Sequence, residues 1–439
     1  NLSLIENGKN IEIKMEIDNK VEKFSYINCE DKIEEQKQTM TKILLLKFYN
    51  KNYSWGGLMG VRPTKVLRRL LATGSTYEEA ENMLRDFYLV TDEKIKLLVD
   101  TVKKENKFLN REYINLYIGI PFCPSKCKYC SFASYEITSG VGRYYNGFVD
   151  TLLEEIEITG KYLKEKNLKI ESLYMGGGTP TTLSEKDLER VLIQINRHLD
   201  MSNIKEFTLE AGREDSLTEK KFYLAKEYGV DRISLNPQTF NEETLAKVNR
   251  RFNRENFDKF FKLGKELGFI INMDLIIGLP DESTEDILYT LNEVEKYDID
   301  NLTVHSLAFK RASNLFKEDK SRKEIDREVI ENRIKDLVAS KEMSPYYMYR
   351  QKNIMEWGEN VGYSKEGKES IFNIEMIEEN QSTMGLGGGA ITKIVLEEGD
   401  GKDYIERIVN PKDPALYIRE MKERMESKCK LFDRLGEVK

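Results

Sequence analysis

Cys123-Pro-Ser-Lys-Cys127-Lys-Tyr-Cys130, set in the run Leu116-Tyr-Ile-Gly-Ile-Pro-Phe-Cys123 and continued by Ser131-Phe-Ala, decides how the chain is read. Three cysteines with three and then two residues between them can bend onto one small inorganic core. Thiolates suit iron–sulfur clusters and zinc. A four-iron cube ordinarily takes four thiolates, so three leave one iron open to an outside ligand. A zinc site would need a fourth Cys or His nearby. The further Cys29, Cys429, His198 and His305 all lie far away in sequence.

Around this stretch, from residue 113, strand patterns alternate with helical ones, the mark of βα units and a parallel sheet. Strands are predicted over 115–120, 170–175, 206–211, 231–235, 269–275 and 301–306. Helices are predicted over 142–165, 184–199, 218–228, 242–266 and 284–297. Ser184-Glu-Lys-Asp187 and Ser283-Thr-Glu-Asp286 supply helix starts of the capping type. Six such units predict an α/β fold, a partial, open (β/α)6 barrel over residues 111–310. In barrels of this kind chemistry sits on the rim where the strands end. The cysteine loop leaves the first strand and Gly176-Gly177-Gly178-Thr-Pro180 the second; Glu210 ends the third and Asn236-Pro-Gln238 leaves the fourth. Asp274 and Gly278-Leu-Pro280 close the fifth, and His305 closes the sixth. Chance placement would scatter these clusters over both ends.

CxxxCxxC resembles the signature of radical S-adenosylmethionine (SAM) enzymes, in which the open iron of a [4Fe-4S] cluster binds SAM. Beside such a loop, the glycine run suits close backbone approach to the methionine amino group. Glu210, Gln238, Arg250 and Asp274 supply hydrogen-bonding groups: a carboxylate suits ribose hydroxyls and an arginine suits a carboxylate. Tyr117-Ile-Gly-Ile-Pro-Phe-Cys123, Gly176-Gly-Gly-Thr-Pro-Thr, Gln238-Thr-Phe-Asn, Val248-Asn-Arg250 and Asp274-Leu-Ile-Ile-Gly-Leu-Pro280 resemble oxygen-independent coproporphyrinogen III oxidases. Trp55-Gly, Gly60-Val-Arg-Pro-Thr-Lys65, Pro345-Tyr-Tyr-Met-Tyr-Arg-Gln-Lys-Asn353, Glu359-Asn-Val-Gly-Tyr363 and Met384-Gly-Leu-Gly-Gly-Gly-Ala390 look like the coproporphyrinogen dehydrogenase HemZ subgroup.

The resemblance implies cluster ligands Cys123, Cys127 and Cys130. It implies SAM contacts from Tyr117, Gly176, Gly177, Gly178, Thr179, Glu210, Gln238, Arg250 and Asp274, with one SAM or two. It also implies a low-potential electron donor such as flavodoxin or ferredoxin. The implied reaction is oxidative decarboxylation: a 5′-deoxyadenosyl radical takes a hydrogen from a propionate, and loss of CO2 and an electron leaves a vinyl group. Two such steps convert coproporphyrinogen III to protoporphyrinogen IX in anaerobic heme synthesis. The oxidases carry His where Gly119 stands and a fourth Cys where Phe132 stands, which leaves substrate placement and the second SAM open. Relatives that deliver heme, methylate or open heme keep those alternatives in play.

Beyond the barrel, residues 1–110 read as an α+β accessory domain. Ile11-Glu-Ile-Lys-Met-Glu-Ile alternates as a half-buried strand, and Ser75 with Glu78 marks a helix start. Arg62 and Lys65 are either an anion site or solvated charges. Residues 311–439 read as an α+β substrate-side region. A porphyrinogen carries several carboxylates, and Lys310, Arg311, Arg350 and Lys352, beside Tyr346, Tyr347 and Tyr349, are the candidate cations. His305 is a candidate for proton handling. Gly385-Leu-Gly-Gly-Gly-Ala390 superficially fits a dinucleotide fingerprint, but Ile391-Thr-Lys-Ile-Val-Leu reads as a strand where that fingerprint needs a helix.

With 40% apolar and 33% charged residues, the chain has the balance of a soluble protein. A net charge of −7 argues against a general nucleic-acid binder. The absence of a long apolar run or a charged-then-apolar leader predicts no membrane span and a cytoplasmic location. Five cysteines, three of them clustered, fit a reducing compartment and a metal site.

Overall fold

The computed structural model describes residues 2–7, 10–17, 20–27, 33–51, 53–308, 323–351, 359–397 and 403–436. The chain divides into two compact units: residues 1–106 with 348–350, and the remainder.

In the first unit, β1 (Leu2–Asn7), β2 (Asn10–Ile17) and β3 (Lys20–Ile27) form an antiparallel sheet. Ile11, Ile13 and Met15 of β2 are buried, as its alternation predicts. Four helices follow: α1 (Ile33–Phe48), α2 (Pro63–Ala72), α3 (Tyr77–Asp86) and α4 (Asp92–Glu105). The start of α3 is one residue later than expected. Thr76 is the cap, and Glu79 closes the capping box. The pair Ser75/Glu78 has the same spacing, so only the geometry separates the two registers.

The second unit is built on β4 (Ile114–Ile120), β5 (Phe122–Cys123), β6 (Tyr135–Glu136), α5 (Tyr145–Glu165), β7 (Ile170–Gly177), α6 (Glu185–His198), β8 (Glu206–Glu210) and α7 (Glu219–Glu227). It continues through β9 (Arg232–Ser234), α8 (Glu242–Lys247), α9 (Arg254–Glu266), β10 (Ile270–Ile277), α10 (Thr284–Glu295) and β11 (Asn301–Ser306). Strands β4, β7, β8, β9, β10 and β11 lie side by side in chain order, every pair parallel. These are the six expected strands of the (β/α)6 unit. Ser184 and Ser283 cap α6 and α10 as expected.

The last third of the chain adds α11 (Arg327–Ser340), β12 (Ser344–Tyr349), β13 (Asn360–Ser364), α12 (Ile371–Glu378), β14 (Thr383–Gly387), β15 (Ile391–Glu397), β16 (Asp403–Val409) and α13 (Pro414–Asp433). Its strands join the same sheet, giving the order β12-β13-β11-β10-β9-β8-β7-β4-β14-β15-β16. Strand β13 runs antiparallel to β11, while β14 is parallel to β4. The glycine run 385–390 passes from β14 through a turn into β15, so strand follows strand and no helix opens there.

The helix expected over 242–266 is two helices. The chain breaks at Asn249, whose φ of 56° is left-handed, and Asn253 then caps α9. An asparagine tolerates that conformation at little cost, and periodicity carried the helical pattern across the break.

Parallel strands are usually apolar on both faces; these alternate. Leu116, Ile118, Leu173, Phe207, Ile271 and Leu302 pack with helical Phe148, Leu188 and Phe257 in the core. The opposite parity carries Asn115, Tyr117, Ser172, Tyr174, Glu206, Glu210, Asn272, Asp274, Asn301 and His305. The concave face is therefore polar.

Candidate functional site

The cysteine loop is tied to two neighbours by backbone bonds. Gly178 N–H donates to Ile120 O at 2.7 Å, and Thr179 N–H donates to Phe122 O at 2.8 Å. A Cβ on Gly178 would stand 2.6 Å from Phe122 O, and one on Gly176 would stand 2.9 Å from the Glu210 carboxyl carbon. Two of the three glycines thus make room for the protein's own backbone and for Glu210. On the other side, Lys128 N–H donates to Val248 O at 2.9 Å, and Asn249 Nδ2 donates to Lys126 O at 2.9 Å. The break in the expected 242–266 helix is thus the seat of the cysteine loop.

Cys123 and Cys127 are buried and Cys130 is half-buried, and each sulfur meets a polar group. Cys123 Sγ lies 3.3 Å from Thr179 Oγ1, Cys130 Sγ lies 3.5 Å from Ser134 Oγ, and Arg213 Nη1 reaches Cys127 Sγ at 3.6 Å. Burial pushes the Cys123 thiol up to about 12. A thiolate there needs a cation to stabilise it. Among the described residues, no three His, Cys, Asp or Glu side chains gather as ligands of one metal ion. A four-iron cube differs in taking each thiolate at a separate iron.

The rim residues carry the polar groups a zwitterionic nucleoside ligand requires. Glu210 accepts from Tyr174 Oη at 2.6 Å; burial, and then the nearby Asp274 charge, raise it to about 7. Asp274 accepts from Asn236 Nδ2 and from Asn272 Nδ2, both at 2.8 Å. His305 Nε2 lies 3.9 Å from Asp274 Oδ1. Tyr117 stacks on Tyr174 with ring centres 6.1 Å apart, and Tyr174 stacks on Phe372 at 4.5 Å.

Two of these groups are orphaned. Gln238, held in the left-handed region at φ 67° beside β10, has a buried Oε1 without a partner. Arg250 donates from Nη2 to Gly212 O and Asn236 O, and its buried Nε has no partner. Burial weakens the Arg250 charge, but the neighbouring Tyr129 and Cys127 hold it above its ordinary value. A buried acceptor and a buried donor left open suit the hydroxyl or ammonium groups and the carboxylate of SAM. With three thiolates on an adjoining loop, the residues fit both the cluster and SAM.

Lys310, Arg311 and Lys352 are outside the described residues. Arg350 belongs to the first unit, where Nη1 donates to Leu58 O at 3.1 Å and the guanidinium lies over Trp55, 5.6 Å from the ring centre. Arg62 precedes α2, with Pro63 in its first turn. A Cβ at Gly119 would stand 2.6 Å from Gly388 O, because β14 closes against β4 there; no larger side chain fits without moving that turn. Phe132 is largely exposed. Sequence reasoning missed Arg213: the only signal was a lone cation in Ala211-Gly-Arg-Glu-Asp215, two residues past a strand end.

Comparison with known proteins accords with this geometry. The Radical SAM superfamily profile matches residues 117–294. The chain is 40% identical over 393 residues to the oxygen-independent coproporphyrinogen-III oxidase-like protein HemZ of Bacillus subtilis, covering 87% of this chain and 78% of that one. It is 32% identical over 301 residues to the heme chaperone HemW of the same organism, covering 66% and 75%. The solved structure of Escherichia coli coproporphyrinogen III oxidase, HemN, a radical SAM enzyme, superposes with TM-score 0.56 at 19% identity over 76% of this chain and 74% of that one. At that identity the superposition speaks for the fold.

Proposed function

This chain belongs to the radical SAM superfamily, among the oxygen-independent coproporphyrinogen III oxidase-like proteins, and from that premise we propose that it decarboxylates coproporphyrinogen III propionates to vinyl groups. The superfamily's [4Fe-4S] cluster and SAM, when bound, supply a 5′-deoxyadenosyl radical that abstracts hydrogen. The chain's own residues hold and orient. Cys123, Cys127 and Cys130 offer three thiolates. Arg250 Nε is the donor for the SAM carboxylate, and Gln238 Oε1 and Glu210 are the acceptors for its amino and hydroxyl groups. Asp274, fixed by Asn236 and Asn272, presents a second carboxylate on the same rim. His305, beside Asp274, is placed to hold a proton there. Lys310, Arg311 and Lys352 are proposed to meet the substrate's remaining carboxylates.

The observation that carries this reading is the pair of orphaned atoms, Gln238 Oε1 and Arg250 Nε, on the polar rim that also carries the cysteine loop. The 40% likeness to a coproporphyrinogen oxidase-like protein supports the substrate class. The test is anaerobic incubation of the iron-loaded protein with SAM, a reductant and coproporphyrinogen III. Release of CO2 with formation of 5′-deoxyadenosine and vinyl product is expected. 5′-Deoxyadenosine without CO2 would remove the decarboxylase reading and keep the radical one. Stoichiometric heme retained on the protein without vinyl product would favour heme delivery, as the likeness to HemW allows.

A further inference from the structure

Arg213 leaves β8 in the turn ahead of α7 and is 3% exposed. Asp215 grips one edge of its guanidinium, Oδ1 at 3.0 Å from Nε and Oδ2 at 2.6 Å from Nη2. The turn itself is pinned. Ser216 Oγ donates to Arg213 O at 2.7 Å, and buried Lys221 Nζ donates to Ser216 O at 2.7 Å and Thr181 O at 2.6 Å. The other edge faces the cysteine loop: Nη2 donates to Ser125 Oγ at 3.0 Å, and Nη1 donates to Ser125 O at 3.3 Å and to Cys127 Sγ at 3.6 Å. A buried guanidinium is costly unless both faces meet compensating groups. Here one face meets a carboxylate and the other a cluster-ligand sulfur.

We propose that Arg213 is a positioning residue that sets the reduction potential of the cluster through its hydrogen bond to Cys127, with Asp215 as the counter-charge that moderates it. Reduction adds one negative charge to the cluster, so a fixed cation and a donor on a ligand sulfur favour the reduced form. The carboxylate of Asp215 offsets part of that field. Arg250 and Tyr129 also hydrogen-bond the same sulfur, and Arg250 is shared through Nη2 with the Gly212 and Asn236 carbonyls. The proposal rests on the cluster reading of the three cysteines.

The test is a redox titration of the whole anaerobically reconstituted protein, without SAM, followed by the electron paramagnetic resonance of the reduced cluster, with iron and sulfide counted in each sample. Arg213→Gln should shift the midpoint to more negative potential, so that the ratio of reduced to oxidised cluster at a fixed potential falls about tenfold, the change one charge-assisted hydrogen bond carries. Arg213→Lys should recover part of that shift. Asp215→Asn should move the midpoint the opposite way. Loaded variants that all titrate with the wild type would overturn the proposal. Should Arg213→Gln hold no iron, Asp215→Asn decides: a midpoint unmoved, or moved to more negative potential, overturns it. A wild-type protein that takes up no iron would overturn the cluster reading itself.

Discussion

Two carboxylates on one strand, Glu206 and Glu210, face the same concave surface four residues apart and live in opposite circumstances. Glu206 accepts from Thr208 Oγ1 at 3.0 Å, Ser370 Oγ at 2.8 Å and the Ile371 N–H at 2.6 Å, and stands 3.8 Å from Arg232 Nε. Arg232 in turn donates to Asn301 and to the carbonyls of Lys368 and Glu369. Glu210 meets Tyr174, the Gly177 backbone and a like charge on Asp274, and burial raises it to about 7. The lower layer spends its charges on closing the fold, with Arg232 Nε left open; the rim leaves Gln238 Oε1 and Arg250 Nε open beside a raised Glu210. Polar groups left short of partners mark where a ligand completes the structure.

Substitutions sharpen or break that contrast, and the largest effect is expected at the rim's far side. Cys127→Ala should abolish iron uptake on reconstitution while the iron-free protein melts as the wild type does; a loaded variant would contradict the ligand assignment. Glu206→Ala takes away the carboxylate 3.8 Å from buried Arg232, leaving Asp231 as its charged neighbour, and should destabilise the protein by about 3 kcal/mol, read by chemical denaturation. A loss near zero would mean the lower layer is not structural. Glu210→Gln should weaken SAM binding about tenfold, with a melting temperature near that of the wild type at pH 5; the reverse pattern would exchange the two roles. Ser370→Ala removes one donor to Glu206 and should cost about 1 kcal/mol.

The same contrast has a pH signature. Glu210 is raised above its unfolded value, so its contribution to stability is full below about 4.5, declines as pH rises, and is lost above about 7. Wild type minus Glu210→Gln, both without ligand, should therefore show stability falling between about pH 5 and 7, by an amount on the order of 1–3 kcal/mol. Binding of a cationic ligand should tighten over the same interval, as Glu210 ionises. Identical pH profiles for the two proteins would remove the distinction between the carboxylates.

The six parallel strands and the rim clusters were legible because each is local: an apolar run followed by a glycine, a cysteine or an acid. What local patterns could not announce was pairing at long range. Nothing near Thr383–Gly387 says that it will lie beside Ile114–Ile120, or that Gly388 will occupy the space a side chain at 119 would need. The helix over 242–266 read as continuous because Asn249 bears no periodic signature, yet its turn seats the cysteine loop. Arg213 was missed for the same reason, its partners being supplied from Ser125 and Cys127, about ninety residues earlier in the chain.

The most direct test of the central claim is spectroscopic: reconstitute the protein anaerobically, count iron and sulfide, and record the reduced-state electron paramagnetic resonance before and after adding SAM. About four irons per chain on three cysteines, with a signal that SAM changes, are predicted, because one iron is left for that ligand. A bound zinc in place of iron, or a loaded cluster whose signal is indifferent to SAM, would contradict it.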